Sequence, residues 1–275
     1  ETSCDETAAS ICKEGKILSN TISRQLIHTE FGGVVPEIAS REHETLLNSV
    51  VHATLLESEI ELPELDAISV TQGPGLAGTL LTGISFAKGL GIGLGIPVIP
   101  VNHLEGHIFS NFLANQFLKF PFVCLLVSGG HTQLWSIKGM ERYILLGETR
   151  DDAAGEAFDK GARILGLKYP GGPEIEKAAL GGDSNKIDFP RSLLSKNSLE
   201  FSFSGLKTSL LYFMDDFKET ETVKLKDVIS SYQKAIVDTL VEKVKRALSI
   251  TGYNRCVIAG GVAANKCLRE QLDMI

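Results

Sequence analysis

The chain has 275 residues, room for one large domain or two of ordinary size, and its 43% hydrophobic and 22% charged residues can bury a core, which excludes a disordered chain. Its 27 glycines follow no fixed period, which excludes a collagen-like fibre. With 27 Lys and Arg against 34 Asp and Glu the net charge is −7, which excludes nucleic-acid binding through a general positive field but not through a local basic patch or a basic partner.

Thr7 to Cys12 and Ile17 to Ser23 read as strands joined at Lys13-Glu14-Gly15-Lys16, a hairpin. Pro36 stands at the first helical position of a helix through Leu56, with Ile38, Leu46, Leu47, Val50 and Val51 as its apolar set. Asp66 to Thr71 is a strand broken by Gly73-Pro74-Gly75. The apolar stretch from Leu76 to Val101 is interrupted by glycines, proline and Lys88, and it predicts a buried helix to about Leu90 and a strand from Pro97 rather than a membrane span. A helix over His103 to Leu113 closes this half. The second half opens with an apolar strand from Phe120 to Val127, a turn at Ser128-Gly129-Gly130, and strands over His131 to Ile137 and Tyr143 to Gly147. Helices are predicted over Ala153–Leu165, Pro173–Ala179, Leu206–Phe213 and Asp227–Ile250. In the last, Val228, Ile229, Tyr232, Ala235, Ile236, Leu240 and Val244 share a face and Lys234, Lys243 and Lys245 lie elsewhere. Arg255 to Ala259 is a strand, Gly260-Gly261 a turn, and a helix from Ala263 is expected to be still running at Ile275.

This order gives an α/β protein of two similar halves, residues 1–117 and 118–275, each opening on a hairpin. The five cysteines are odd in number and form no C-x-x-C, so reduced thiols in a cytoplasmic protein are expected. The chain starts without methionine and its last helix has no closing residue, so truncation at both ends is expected.

His103 and His107, four apart on a helix, lie on one face within reach of one metal ion. A zinc protease needs glutamate directly after the first histidine. Glu105 is one step further, about 200° around the helix, so a metalloprotease is disfavoured. Gly73-Pro74-Gly75-Leu76-Ala77-Gly78 fits a dinucleotide fingerprint only in letters, because no acidic residue follows before Leu104 and Pro74 removes a backbone donor; close strand–helix packing explains it better. Ser128-Gly129-Gly130, Gly171-Gly172-Pro173 and Gly260-Gly261 each present backbone N–H groups able to cradle phosphate. Asp159 sits on a partly buried helix where a carboxylate could accept from a ribose or purine. Asp151 and Asp152 fit a solvated helix start, and His28, His43 and His52 have no partner at ligand spacing.

The turns together resemble a duplicated fold that closes around a nucleotide in a central cleft, as in actin, Hsp70 and the sugar kinases. The segments ETSCDET (1–7), FGGVVPE (31–37), QGPGL (72–76), NHLEGH (102–107), VSGGHTQL (127–134), DDAAGEAFDK (151–160), YPGGP (169–173), FSFSGLKT (201–208) and AGGVAAN (259–265) are similar, in order, to the TsaD family of bacterial tRNA N6-adenosine threonylcarbamoyltransferases, formerly called glycoproteases. The resemblance implies an acyltransferase that moves the threonylcarbamoyl group of threonylcarbamoyl-AMP to N6 of the adenosine 3′ of the anticodon, in tRNAs reading codons that begin with A. It implies a divalent metal, Fe2+ or Zn2+, held by His103 and His107. It implies that Leu126, Val127, Ser128, Gly129 and Gly130 contact the adenylate, that Asp159, Gly172, Glu176 and Asn265 hold its ribose and purine, and that Asp5, Glu6 and His131 line the cleft as catalytic candidates. The family's third metal ligand, an aspartate, is expected beyond Ile275. Implied partners are tRNA, a catalytically silent paralogue of similar fold and a P-loop ATPase, with no membrane. A silent scaffold of the same fold is the non-enzyme alternative, against which the histidine pair speaks.

Overall fold

Glu14 and Gly15 both take left-handed backbone, φ 51° and 75°, the conformation whose twist matches a two-residue hairpin turn. They join β1 (Glu6–Lys13) to β2 (Lys16–Arg24) in antiparallel pairing, with Glu6 opposite Arg24. After a short α1 (His28–Phe31), Pro36 starts α2 (Pro36–Ser58), which packs on both hairpin strands. β3 (Ile68–Gly73) leads through α3 (Ala77–Leu94) to a parallel β4 (Val98–Asn102), and α4 (His103–Phe109) follows without a break. This computed structural model describes residues 1–192 and 198–275, and it divides into two compact units, Glu1–Phe109 and Ser110–Ile275. The division falls at Phe109 and Ser110 rather than at 117, because the helix expected through Leu113 stops at Phe109 and the four residues of α5 (Asn111–Ala114) pack with the second unit.

The buried helix predicted to about Leu90 needs correction: it runs on to Leu94. α3 buries only Thr79, Gly83, Ala87 and Gly91, small residues four apart, while Leu81 is 64% and Ile92 83% exposed. The reason is close approach: a Cβ on Gly83 would stand 2.3 Å from Thr2 Oγ1, and one on Gly91 2.5 Å from Val98 Cγ2. Among the described residues α3 is the one helix long and apolar enough, by length and composition, to cross a membrane.

The second unit is built on a four-stranded sheet in the order β7-β6-β5-β8, with β5 (Phe122–Val127) antiparallel to β6 (Thr132–Gly139) and parallel to β8 (Cys256–Ala259), and with β7 (Arg142–Glu148) at the edge. Every residue of β5 is fully buried, as a strand covered on both faces must be. Between β7 and β8 the described residues form four helices: α6 (Ala154–Ile164), α7 (Gly171–Ala178), α8 (Ser204–Asp215) and α9 (Leu225–Thr251). Val228, Tyr232, Ala235, Ile236, Leu240 and Val244 of α9 are all fully buried, the face read from the sequence. Lys243 was expected off that face and is also fully buried; its ammonium donates to the Ser198 carbonyl at 2.8 Å, and burial pushes its pKa down to about 8. The last helix is α10 (Lys266–Leu272). It follows a 3-10 turn over Gly261–Ala264 and ends at Leu272, so the expectation of a helix running from Ala263 to Ile275 is wrong at both ends.

Candidate functional site

In the first unit the histidine pair sits where β4 runs directly into α4. Asn102 makes that corner: its side-chain oxygen accepts from the backbone N–H of Leu104 at 2.8 Å and of Glu105 at 3.3 Å, capping the helix that carries both histidines. The rings of His103 and His107 stand edge to face with centroids 4.5 Å apart, and their Nε2 atoms face each other at 3.1 Å. Two nitrogens each about 2.0–2.1 Å from one ion are about 3.1 Å apart when they subtend roughly 100°. The pair therefore fits a metal ion, and without one the same spacing accommodates a single N–H···N hydrogen bond. Among the described residues no group of three or more His, Cys, Asp or Glu is placed to hold a metal.

Residues with no local signal for a role at this site surround His103. Its Nδ1 lies 3.3 Å from Ser3 Oγ and 3.4 Å from Glu1 Oε2. The Glu1 carboxylate also accepts from Ser3 N at 2.6 Å and from Thr71 Oγ1 at 2.5 Å. Burial alone would raise the Glu1 carboxyl, but the hydrogen bonds from His103, Ser3 and Thr71 outweigh it and hold the group well below the ordinary carboxylate range. His43 is fully buried on α2, bridging Thr7 Oγ1 at 2.7 Å and the Cys4 carbonyl at 2.9 Å, and burial lowers its pKa. It pins the segment that leads from Glu1 into β1. Of the two acidic catalytic candidates, Glu6 is exposed and pairs with Arg24 at 2.9 Å, and Asp5 accepts a backbone bond from Gln25 through its carbonyl.

In the second unit the structure brings the predicted glycine turns together. Ser128 and His131 close the β5–β6 turn: Ser128 N donates to the His131 carbonyl at 2.8 Å, and His131 N donates to Ser128 Oγ at 3.1 Å. Leu126 and Val127 lead into the turn as the buried end of β5. A Cβ on Gly155 would meet Ser128 O at 2.5 Å and Gly129 Cα at 2.7 Å, and one on Gly260, where φ is +91°, would meet Val127 O at 2.5 Å. Glycine at both positions is what lets α6 and the β8 turn close on Ser128-Gly129-Gly130. Gly171-Gly172-Pro173, expected as a turn before a helix from Pro173, is instead the first turn of α7, and Asp159 holds it there, its Oδ1 accepting from Gly171 N at 2.7 Å; nothing lies within 4 Å of a Cβ built on Gly172. Glu176 of α7 accepts from Lys266 N at 3.3 Å. Asn265 is buried, caps α10 by accepting from Leu268 N at 3.0 Å, and donates to Gln233 Oε1 at 3.1 Å.

Asp151 is exposed, as a solvated helix start would be, and Asp152 is half-buried, yet both are anchors. Asp151 accepts from the hydroxyls of Ser202 and Ser204 and the backbone N–H of Phe203 and Ser204, tying α8 to the start of α6. Asp152 takes Lys160 at 2.7 Å and Lys207 at 3.1 Å. Adjacent acidic residues before a helix suggest a cap there, but nothing in the sequence says that Asp151 caps the distant α8 instead.

Residues 16–275 match the sequence profile of the TsaD family, described as tRNA N6-adenosine threonylcarbamoyltransferase. A curated relative of that name from Thermosipho africanus is 52% identical over 276 residues, covering 100% of this chain and 83% of its own. Another, from Desulfitobacterium hafniense, is 54% identical over 275 residues, covering 99% of this chain and 81% of its own. The solved component A of the (R)-2-hydroxyglutaryl-CoA dehydratase of Acidaminococcus fermentans superposes with a TM-score of 0.57 at 14% identity, covering 98% of this chain and 84% of that one. At that identity it speaks for the fold, which is the α/β actin-like class expected.

Proposed function

This chain belongs to the TsaD family of tRNA N6-adenosine threonylcarbamoyltransferases and is an acyltransferase acting on tRNA, and we propose that His103 and His107 hold the divalent ion, Fe2+ or Zn2+, with which it works. The observation that carries this is the facing Nε2 pair at 3.1 Å on one turn of α4. Bound there, the ion supplies Lewis acidity toward an acyl or phosphate oxygen.

The remaining work belongs to the chain. N6 of the adenosine forms a bond to the carbamoyl carbon, AMP leaves through its phosphate oxygen, and N6 gives up a proton. An exocyclic adenine amine is a weak nucleophile, so placement of the two reactants is the main demand on the protein. The backbone N–H groups of Gly129 and Gly130, in the turn that Ser128 N closes on the His131 carbonyl, are proposed to take the adenylate phosphate. Gly172, where a side chain would find open space, leaves room for a sugar or base. Asp159, Glu176 and Asn265 each present a polar side chain beside that turn or the next. Asp5, Glu6 and His131 are the proposed proton acceptors. Work in the cytoplasm away from membranes, alongside a silent paralogue and a P-loop ATPase, completes the proposal.

The test is His103→Ala in a strain that carries only this variant, with t6A measured by nucleoside mass spectrometry. Loss of t6A with an unchanged melting temperature is expected. Normal t6A would remove the histidine pair from the mechanism.

A further inference from the structure

We infer that Glu1 is a positioning residue for the imidazole pair, its carboxylate taking the Nδ1–H of His103 so that the Nε2 lone pair of His103 faces His107. This rests on the reading of that pair as the metal site.

An ionised carboxylate only accepts hydrogen bonds. Glu1 Oε2 stands 3.4 Å from His103 Nδ1, so the proton of a neutral His103 ring belongs on Nδ1 and Nε2 is bare. The rest of the arrangement agrees. The 3.1 Å contact between the two Nε2 atoms needs one donor and one acceptor, and with His103 as acceptor His107 donates. The carboxylate is itself fixed from two elements. Ser3 N holds Oε1 at 2.6 Å, and Thr71, on β3, holds Oε2 at 2.5 Å. Ser3 Oγ, 3.3 Å from the same Nδ1, supplies a second acceptor to that proton. Glu1, Ser3 and Thr71 thus form a cradle on one side of the ring while α4 presents the other nitrogen to His107. Carboxylate–histidine–metal triads use this arrangement to fix tautomer and ring orientation, and loss of the outer partner typically weakens metal binding by 10–100-fold.

The experiment uses the full chain with selectively 15N-labelled histidine and, separately, Co2+ as the probe metal, comparing wild type with Glu1→Gln, Glu1→Ala and His103→Ala. Long-range proton–nitrogen correlation spectra of the metal-free protein read the His103 tautomer directly. The Nδ1–H form is expected in wild type and a shift toward the Nε2–H form in Glu1→Ala. Chelator competition should show Co2+ bound about 10–100-fold more weakly by Glu1→Ala. Glu1→Gln, which keeps an acceptor oxygen, should lie between. If Glu1→Ala fails to fold, Glu1→Gln and the wild-type tautomer decide. An Nε2–H tautomer in wild type, or Co2+ affinity unchanged in the Glu1 variants while His103→Ala loses the metal, overturns the role of Glu1. Co2+ bound as tightly by His103→Ala overturns the metal site itself.

Discussion

Replacing Gly155 with alanine puts a methyl group into the back of the Ser128-Gly129-Gly130 turn. The added Cβ would lie 2.5 Å from Ser128 O, 2.7 Å from Gly129 Cα and 2.8 Å from Gly129 N. Carbon contacts settle at about 3.5–4.0 Å, so either α6 or the turn must retreat by roughly 0.7 Å or more. The obstacles are backbone atoms and cannot swing away as a side chain would. Overpacking of this kind costs about 1–3 kcal/mol, and the 3.2 Å bond from Gly155 N to Ser128 O weakens with it. Alanine returns about 0.5–1 kcal/mol through its helix propensity. The net is about 1–2 kcal/mol of destabilisation, or roughly 2–8 °C in melting temperature for a unit of this size. Gly172→Ala is the control, because nothing lies within 4 Å of its Cβ; it should melt no lower than wild type. Calorimetry of both variants, with titration of a non-hydrolysable threonylcarbamoyl-adenylate analogue, gives the answer. Gly155→Ala should melt lower and bind the analogue more weakly. A Gly155→Ala protein that melts at or above wild type would show that the helix and turn are not in contact, and the reasoning would fail.

Asp159→Asn should weaken analogue binding measured by titration more than it slows transfer, since the neutral amide also gives the Gly171 N–H a poorer acceptor than the carboxylate does. Asp151→Ala should cost about 1–2 kcal/mol at pH 7, in the range of a lost helix cap, read by urea unfolding. Burial raises the Asp151 carboxyl, but bonds from Ser202, Phe203 and Ser204 outweigh this and hold its pKa below the ordinary value. Its contribution is therefore complete above the ordinary aspartate value of 3.8 and lost as pH falls through the lower folded value, so the gap between wild type and variant should narrow progressively as the unfolding is repeated at falling pH below 3.8. Iodoacetamide at pH 8 should modify exposed Cys12 in the native protein and leave Cys124 and Cys256 intact, read by peptide mass spectrometry. Cys124 is fully buried, and burial pushes the Cys256 thiol up to about 12.

Elements whose signal is local were legible in the sequence. The hairpin announced itself by Glu14-Gly15 between two strands, α9 by a long periodic face, and the facing of His103 and His107 by their four-residue spacing. What failed depended on distant partners. α3 reads as a buried apolar helix because composition does not reveal that its contact face is the stripe of small residues Thr79, Gly83, Ala87 and Gly91. Lys243 looks like a surface charge until the carbonyl of Ser198 is brought against it. The cradle around His103 joins Glu1 and His103 across 102 positions and Glu1 and Thr71 across 70, and no periodicity encodes such a meeting.

The same dependence on neighbours governs how activity data at the residues proposed to hold the adenylate must be read. Asp159, Glu176 and Asn265 each use a side-chain oxygen on a backbone N–H of an adjoining segment: Gly171, Lys266 and Leu268. Removing any of them changes the shape of a turn as well as a contact to substrate, so lost turnover alone does not separate the two. The stability of the ligand-free protein does. A residue that acts only by holding its turn lowers that stability, and its effect on analogue binding should vanish against a background in which the turn is already displaced, such as Gly155→Ala for the Ser128 turn. A residue that touches the nucleotide retains its effect there, because the two losses are then independent and add. Asn265 is the sharpest case. Its side-chain oxygen caps α10 and its amide nitrogen is bonded to Gln233, so the cap must be lost before binding changes unless a lone pair or proton left over from those bonds reaches the substrate.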